Sequence, residues 1–393
     1  MKKNCSKIIL IAIFPILFLC VIAADIEAAP LQTNQFHSYL KQGIDKAFNL
    51  ETTSAIALLK KALELEPENP AGYAHLAILH LFSYEMSYDL ESRKKDQEAI
   101  LRYVSEALSR GEKRVETNSK DSEAYLAMAL AKIAKVNLAV HEKRYLVMAQ
   151  ETSNIWNYLD KARGAEPNNF DIYFLMGLLH YHIDHLPGLT RFASSLLITS
   201  GDRQKGLKEI ELAAQKGDLL QTMAQTELQS VYLIFEKQPA RALPVIMKLR
   251  EKFPNNYNFL FAQANAFAEL RRFGEAFALA REIENNIKAA KPPYVPQLEP
   301  RYNQLMGRIF LNQGEYDKAT EYFQKALKDM AFYNTRVRVW TLVRLGMIQD
   351  IRKDRARAEE YYSKALEIEN GEGTAKVEAR KYLQTPYVPA IKN

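Results

Sequence analysis

The apolar positions of this chain fall on a repeated grid. Leu59 and Ala62 stand three apart, with Pro67 five residues further on. Leu159, Ala162 and Pro167 repeat that spacing, and Ile246, Leu249 and Pro254 repeat it again with Leu249 in the alanine position. Residues three apart share a helix face, and a proline ends the helix because it has no N–H to continue the ladder. After each proline comes another apolar run: Tyr73-Ala74-His75-Leu76-Ala77, Tyr173-Phe174-Leu175-Met176-Gly177 and Leu260-Phe261-Ala262-Gln263-Ala264. Near the C-terminus Gly307, Ala319, Phe323 and Ala326 align without a gap with Gly346, Ala358, Tyr362 and Ala365. These spacings predict pairs of short helices, joined at Asn312–Tyr316 in one unit and Arg352–Arg355 in the next. Gly307 and Ala319 allow close helix approach, Phe323 fills the space between hairpins, and Ala326 leaves room for the following helix. One hairpin cannot bury its apolar face alone, so hairpins stack.

In these positions the chain resembles the tetratricopeptide repeats, helix–turn–helix units of about 34 residues. The resemblance covers residues 36–370 and implies an all-α fold, a right-handed α-solenoid of about eight hairpins with a capping helix over Thr374–Leu383. The hairpins are expected near residues 36–69, 70–119, 122–169, 170–219, 222–256, 257–288, 300–331 and 339–370. This groups the chain into an N-terminal segment (1–28), N-terminal hairpins with insertions (36–219), C-terminal hairpins with the cap (222–383) and a proline-containing tail (384–393). In the second hairpin Arg114 stands where the family prefers alanine. Asp121 and Asp171 are expected as N-caps or first-turn acids. The stretch from Met176 to Gly217 is also similar to a large bacterial group of exported repeat proteins and, more faintly, to the eukaryotic inclusion-body-clearance repeat proteins. All these are packing positions, so the resemblance implies a fold rather than a ligand.

The N-terminus changes the picture of location. Lys2, Lys3 and Lys7 precede an apolar run from Ile8 to Ala24, and small residues follow at Ala23, Ala24, Ala28 and Ala29. That order reads as a secretory signal, with an uncleaved anchor or lipidation at Cys20 as the rival forms of membrane attachment. Both cysteines, Cys5 and Cys20, lie in this segment, so cleavage would leave a chain without thiol chemistry. The net charge of +6 is spread over 393 residues without a basic block, which gives no electrostatic footprint for nucleic acid. Catalytic and nucleotide-binding signatures are absent from the sequence. No cofactor, catalytic residue or metal site is expected.

One cluster tests that expectation. LLHYHIDHLPG places His180, His182, Asp184 and His185 within six positions. His180 falls at the last core-facing position of the first helix in its unit, and His80 fills the same slot two units earlier, which favours packing. His182 and His185 share a face, but a metal site needs a third ligand and an ordered outer shell. The apolar insert after Gly188, with Phe192, Leu196 and Ile198, reads as a short extra helix, a lip over a groove, or a contact surface. Arg203 is placed to tie it down.

In the family resembled, first helices line a concave groove through residues one step off the packing positions. On this sequence that implies Phe261 and Asn265 in the sixth unit, Arg301, Gln304, Arg308, Leu311 and Asn312 in the seventh, and Trp340 and Val343 in the eighth. Amides, guanidinium groups and aromatics suit an extended peptide or a C-terminal carboxylate. The Lys/Asn arrangement of chaperone-tail-binding repeats is not reproduced, since Phe261 stands where their first lysine would be. PYVP occurs twice, at Pro293–Pro296 and Pro386–Pro389, and a tail docked through Tyr387 is one reading of the second copy. The expectation is an exported, non-enzymatic scaffold for envelope proteins or extended peptides, periplasmic or membrane-attached, in a bacterial cell. The alternative is a small-molecule or lipid carrier with an apolar cavity near residues 189–198.

Overall fold

The computed structural model describes residues 34–142, 144–183, 201–328, 335–368 and 374–389. Among them the chain is all-α. Eight hairpins follow one another: α1 (residues 34–48) with α2 (Thr52–Leu65), α3 (Pro70–Met86) with α4 (Leu90–Thr117), α5 (Ser122–His141) with α6 (Tyr145–Ala165), and α7 (Phe170–Ile183) with α8 (Arg203–Lys216). Then come α9 (Gln221–Ser230, continued by a π-helical turn at Val231–Phe235) with α10 (Pro239–Lys252), α11 (Tyr257–Glu269) with α12 (Phe273–Lys288), α13 (Glu299–Gln313) with α14 (Tyr316–Lys328), and α15 (Thr335–Ile351) with α16 (Arg355–Glu367). Helix α17 (Thr374–Gln384) caps the stack by packing on α15 and α16. From α3 onward each first helix packs on its own second helix, and α3 packs on α5, α5 on α7, α7 on α9, α11 on α13 and α13 on α15, the pattern of a solenoid.

The helix ends follow from local chemistry. The second helices of the first, third and fifth hairpins stop just ahead of Pro67, Pro167 and Pro254. Asn69, Asp121, Asp202 and Asn256 then accept backbone N–H groups of the helices that follow. The turn inside a hairpin is tighter. Leu50, Lys237, Arg271, Gly314 and Lys353 occupy the same turn position in five hairpins, and all have positive φ, between 53° and 88°.

The grid residues form the core. Leu59, Ala62, Leu159, Ala162, Ala319, Phe323, Ala358 and Tyr362 are all buried. Phe323 sits where it was expected: its ring covers Gly307 of its own hairpin, where a Cβ would meet it at 2.5 Å, and it shares a core with Leu345 and Ile348 of the next. One local reading is corrected. In α4 the small packing residue is Gly111, against Met128, while Arg114 turns outward to Asp121 and Glu123. The register of that long helix is shifted by three residues relative to the one read from the sequence.

The first hairpin also packs far along the chain. Ile44 and Phe48 share a core with Leu249, Phe253 and Phe259. Asn256 donates from Nδ2 to the Phe48 carbonyl (2.7 Å), the Asn255 N–H donates to Asn49 (3.1 Å), and Lys41 and His37 reach Asp218. Asp171 is a first-turn acid of α7, as expected, and turns its buried carboxylate to the N–H groups of Asp218 and Leu219. The loops on which α1 rests are thereby fixed, and the solenoid is closed on its own first unit.

Candidate functional site: a polar inner wall

Helices α11, α13 and α15 pack side by side, and most of the expected groove residues come together where they meet. Arg301 Nη1 donates to Asn258 Oδ1 at 2.6 Å, and its guanidinium lies 4.3 Å from the centre of the Phe261 ring. Two turns further along α13, Arg308 donates to Glu269 and to Asn265 Oδ1, both at 2.9 Å. Asn312 donates to the same Glu269 oxygen (2.9 Å) and to the Ala268 carbonyl (3.1 Å), while Asn265 Nδ2 donates to the Phe261 carbonyl (2.8 Å). Burial alone would raise the Glu269 carboxyl, but Arg308, Asn312 and Arg344 outweigh it and hold it at about 2. Gln304, half-buried between the two arginines, has no hydrogen-bond partner among the described residues.

Two expected lining residues lie elsewhere. Phe261 is 1% exposed, so it supports the Arg301 guanidinium from below and offers no surface of its own. Val343 is fully buried, and its neighbour Arg344 faces Trp340, with the guanidinium 4.9 Å from the ring centre. The sequence grid places Arg344 in the slot that Leu305 fills in α13, and α15 keeps that register, since Gly346 lies against the Tyr362 ring as Gly307 lies against Phe323. Arg344 is 8% exposed, and its Nη1 is buried without a hydrogen-bond partner. Burial, with Arg308 adding repulsion, lowers this guanidinium to about 9 against the pull of Glu269.

Arg336 completes the wall and was not foreseen. Its side chain is exposed, yet desolvation is the first cause of its lowered pKa, and the carboxylates of Glu227 and Glu85 oppose that shift. Glu227 reaches His182 Nε2 at 2.8 Å, and Glu85 lies 3.3 Å from His141 Nε2. The start of α15 is thus within electrostatic reach of α3 and α9.

The remaining histidines serve packing. His180 Nδ1 is 2.6 Å from Glu209, and His80 Nδ1 is 2.7 Å from Asp96. Lys132 fills the corresponding slot of the unit between them and pairs with Glu151 at 2.6 Å. Each of these side chains stands seven residues after a tyrosine (Tyr73, Tyr125, Tyr173) and bridges the two helices of its hairpin. Asp184 and His185, the insert at 189–198 and the N-terminal segment lie outside the described residues. Arg203 makes a two-pronged bond to Glu236, which also accepts from Tyr181. The two PYVP copies behave alike. Tyr294 is buried beside Tyr257, and Tyr387 packs edge-on to Tyr382 while its N–H donates to Asp350 (2.8 Å), so the tail docks on its own last hairpin.

Tetratricopeptide-repeat sequence models match residues 234–294 and 302–369. A model described as "Regulator of microtubule dynamics protein 1-3" matches residues 39–203, which accords with the fainter likeness to eukaryotic repeat proteins. No curated protein sequence matches the chain. Among solved structures, the human IFIT1 dimer with m7Gppp-AAAA is 16% identical with a TM-score of 0.44, covering 90% of this chain and 87% of that one. A tetratricopeptide repeat protein from Parabacteroides merdae is 15% identical with a TM-score of 0.32, covering 75% and 92%. The P58(IPK) TPR domain is 14% identical with a TM-score of 0.25, covering 89% and 97%. The chain is a tetratricopeptide-repeat protein. Repeats of this type make it an interaction scaffold in class, and scaffold families of this kind are in general not enzymes.

Proposed function

We propose that the chain is an exported scaffold that holds a protein or extended peptide of the cell envelope against the wall formed by α11, α13 and α15. The wall itself carries this reading. Arg301, Gln304, Arg308 and Asn312 rise along one side of α13, and three of them are held by Asn258, Asn265 and Glu269. Side chains fixed in advance lose little freedom when a ligand arrives. Guanidinium groups suit carboxylates, and the free amide of Gln304 suits a peptide group. Export is supported by the lysines at positions 2, 3 and 7, the apolar run from Ile8 to Ala24 and the alanines around it. A periplasmic location, with or without membrane attachment through that segment, follows from the same residues.

The test is capture from a cross-linked envelope fraction by the native chain and by the triple variant Arg301→Ala, Gln304→Ala, Arg308→Ala. A protein retained by the native chain and lost from the variant supports the wall as the binding surface. Equal capture by both overturns it. Capture by neither returns attention to the carrier reading and to lipid extracted from the purified chain.

A further inference from the structure

We infer that α13 and α15 form a receptor for an acidic peptide segment, with one carboxylate taken by Arg301 and Arg336 and a second by Arg308 and Arg344. The inference rests on the peptide-binding reading of the wall and makes it specific. Its first support is the isolation of these charges. Arg110, Arg114, Arg203, Arg241, Arg250 and Arg355 all reach carboxylates within the molecule. Arg301 is bonded to the neutral Asn258, and neither Arg336 nor Arg344 has an ion pair among the described residues. Among the described residues Glu269 is the carboxylate beside Arg308 and Arg344, and Arg308 and Asn312 already use it, while Glu227 and Glu85 act on Arg336 without an ion pair to it.

The second support is Arg344 itself. A guanidinium in a leucine slot, with a buried and unpartnered Nη1, is a costly arrangement for a fold alone. An arriving carboxylate would supply the missing charge. The third support is the grouping of like charges. Helices α13 and α15 pack side by side, Arg336, Trp340 and Arg344 follow one another at four-residue steps on one face of α15, and the like charges of Arg336 and Arg308 add to the lowering of Arg301 and Arg344 respectively. Burial is the larger cause for Arg301 and Arg344 alike. An anion between two such cations turns repulsion into attraction.

Spacing fixes the ligand. Arg301 and Arg308 are separated by two helical turns, about 10 Å at 1.5 Å per residue, and Arg336 and Arg344 by about 12 Å. An extended chain advancing about 3.3 Å per residue covers that distance in three to four residues. The ligand therefore carries carboxylates three or four positions apart, and Gln304 between them meets its backbone. Trp340 and Phe261 hold two of the guanidinium planes in place for planar carboxylates. A nucleic acid would present phosphates at every nucleotide, and the chain offers no longer basic track to follow them.

The test is a fluorescence titration of the full chain, kept in mild detergent, with a labelled peptide bearing two glutamates four positions apart. The same peptide with glutamines and a short oligothymidylate serve as the other probes. The acidic peptide should bind about tenfold or more tightly than the glutamine version, with salt weakening it. Arg336→Gln and Arg344→Met should each lose about tenfold in affinity. Arg344→Met should at the same time raise the Tm, because it removes an unpaired buried charge, while the exposed Arg336→Gln leaves the Tm unchanged. Equal binding of the two peptides, a lower Tm for Arg344→Met, or tighter binding of the oligothymidylate overturns the inference. If envelope capture still depends on the Arg301, Gln304 and Arg308 triple variant in that case, the peptide wall stands and only the arginine-pair receptor falls. If capture fails as well, both fall.

Discussion

Gly177 of α7 and Gly206 of α8 touch backbone to backbone. A Cβ on Gly206 would lie 2.8 Å from the Gly177 carbonyl oxygen and 2.5 Å from the Tyr181 nitrogen, and a Cβ on Gly177 would lie 2.9 Å from the Gly206 carbonyl oxygen. Backbone cannot rotate away, so Gly177→Ala and Gly206→Ala should each destabilise by about 3 kcal/mol. Gly307→Ala meets only the Phe323 ring, which can shift, and should cost less. Gly164→Ala, in α6 with nothing within 4 Å, should stabilise by about 0.5–1 kcal/mol. Urea unfolding of the four variants gives the order directly, and an equal cost at Gly164 and Gly206 would contradict the contact.

The turn inside the sixth hairpin makes a second prediction. Arg271 has φ 60°, a conformation that costs an L-residue about 1 kcal/mol. Gly314 holds the equivalent place in the seventh hairpin at φ 88°. Arg271→Gly should therefore raise stability by up to about 1 kcal/mol, offset in part by chain entropy, and Gly314→Ala should lower it by about the same amount. Opposite signs in thermal unfolding are the expected result; matching signs would mean the left-handed turn does not persist in solution.

Acid should unfold the chain in two separable steps. Burial, and then the neighbouring His37, hold the His75 imidazole down to about 4. The folded pKa lies below the unfolded value, so the stability tied to neutral His75 is complete above about pH 6.5 and is lost as the pH falls toward 4. The loss is about 3 kcal/mol at most. Glu269 loses its contribution lower, between about pH 4.5 and 2. His75→Leu should flatten the stability curve in the upper window and leave the lower one. A curve unchanged between pH 6.5 and 4 would show that His75 is not the titrating group.

The closure of the first hairpin is tested at Phe253, which is 2% exposed and packs on Phe48 with ring centroids 5.7 Å apart. Phe253→Ala should cost about 3–5 kcal/mol. It should also speed amide exchange across residues 34–48 more than across α16. Uniform loosening of both helices would contradict a closure specific to the first unit.

How much of this was legible in the sequence depends on the range of the interaction. The hairpins could be read because their causes are local: prolines at helix ends, small residues at close contacts, a period that repeats. Gly314 announced its turn, while Leu50, Lys237, Arg271 and Lys353 adopt the same conformation without announcing it. The closure of α1 on the loops at Asp218 and Asn256 joins residues about two hundred positions apart through side chains of ordinary type, and no spacing records that. In the wall, the α13 residues were read from the grid because α13 keeps the register of its family. α15 keeps the register as well, with Gly346 against Tyr362, yet Val343 packs inward where Gln304 is half-buried, and Arg344 takes the core slot. The signal was present, however: a charge at a position where the neighbouring unit has Leu305 marks a place where packing alone does not explain the residue.

The inner wall as the binding surface is tested most directly by a photo-cross-linking residue at Gln304, compared with one at Lys364 on the exposed side of α16. In cells producing the full chain, Gln304 should yield a discrete adduct with a partner protein, Lys364 should not, and the Gln304 adduct should disappear when Arg301 and Arg308 are changed to alanine. Adducts of the same mass from both positions, or an adduct from Lys364 alone, would place the partner on the outer face and contradict the wall.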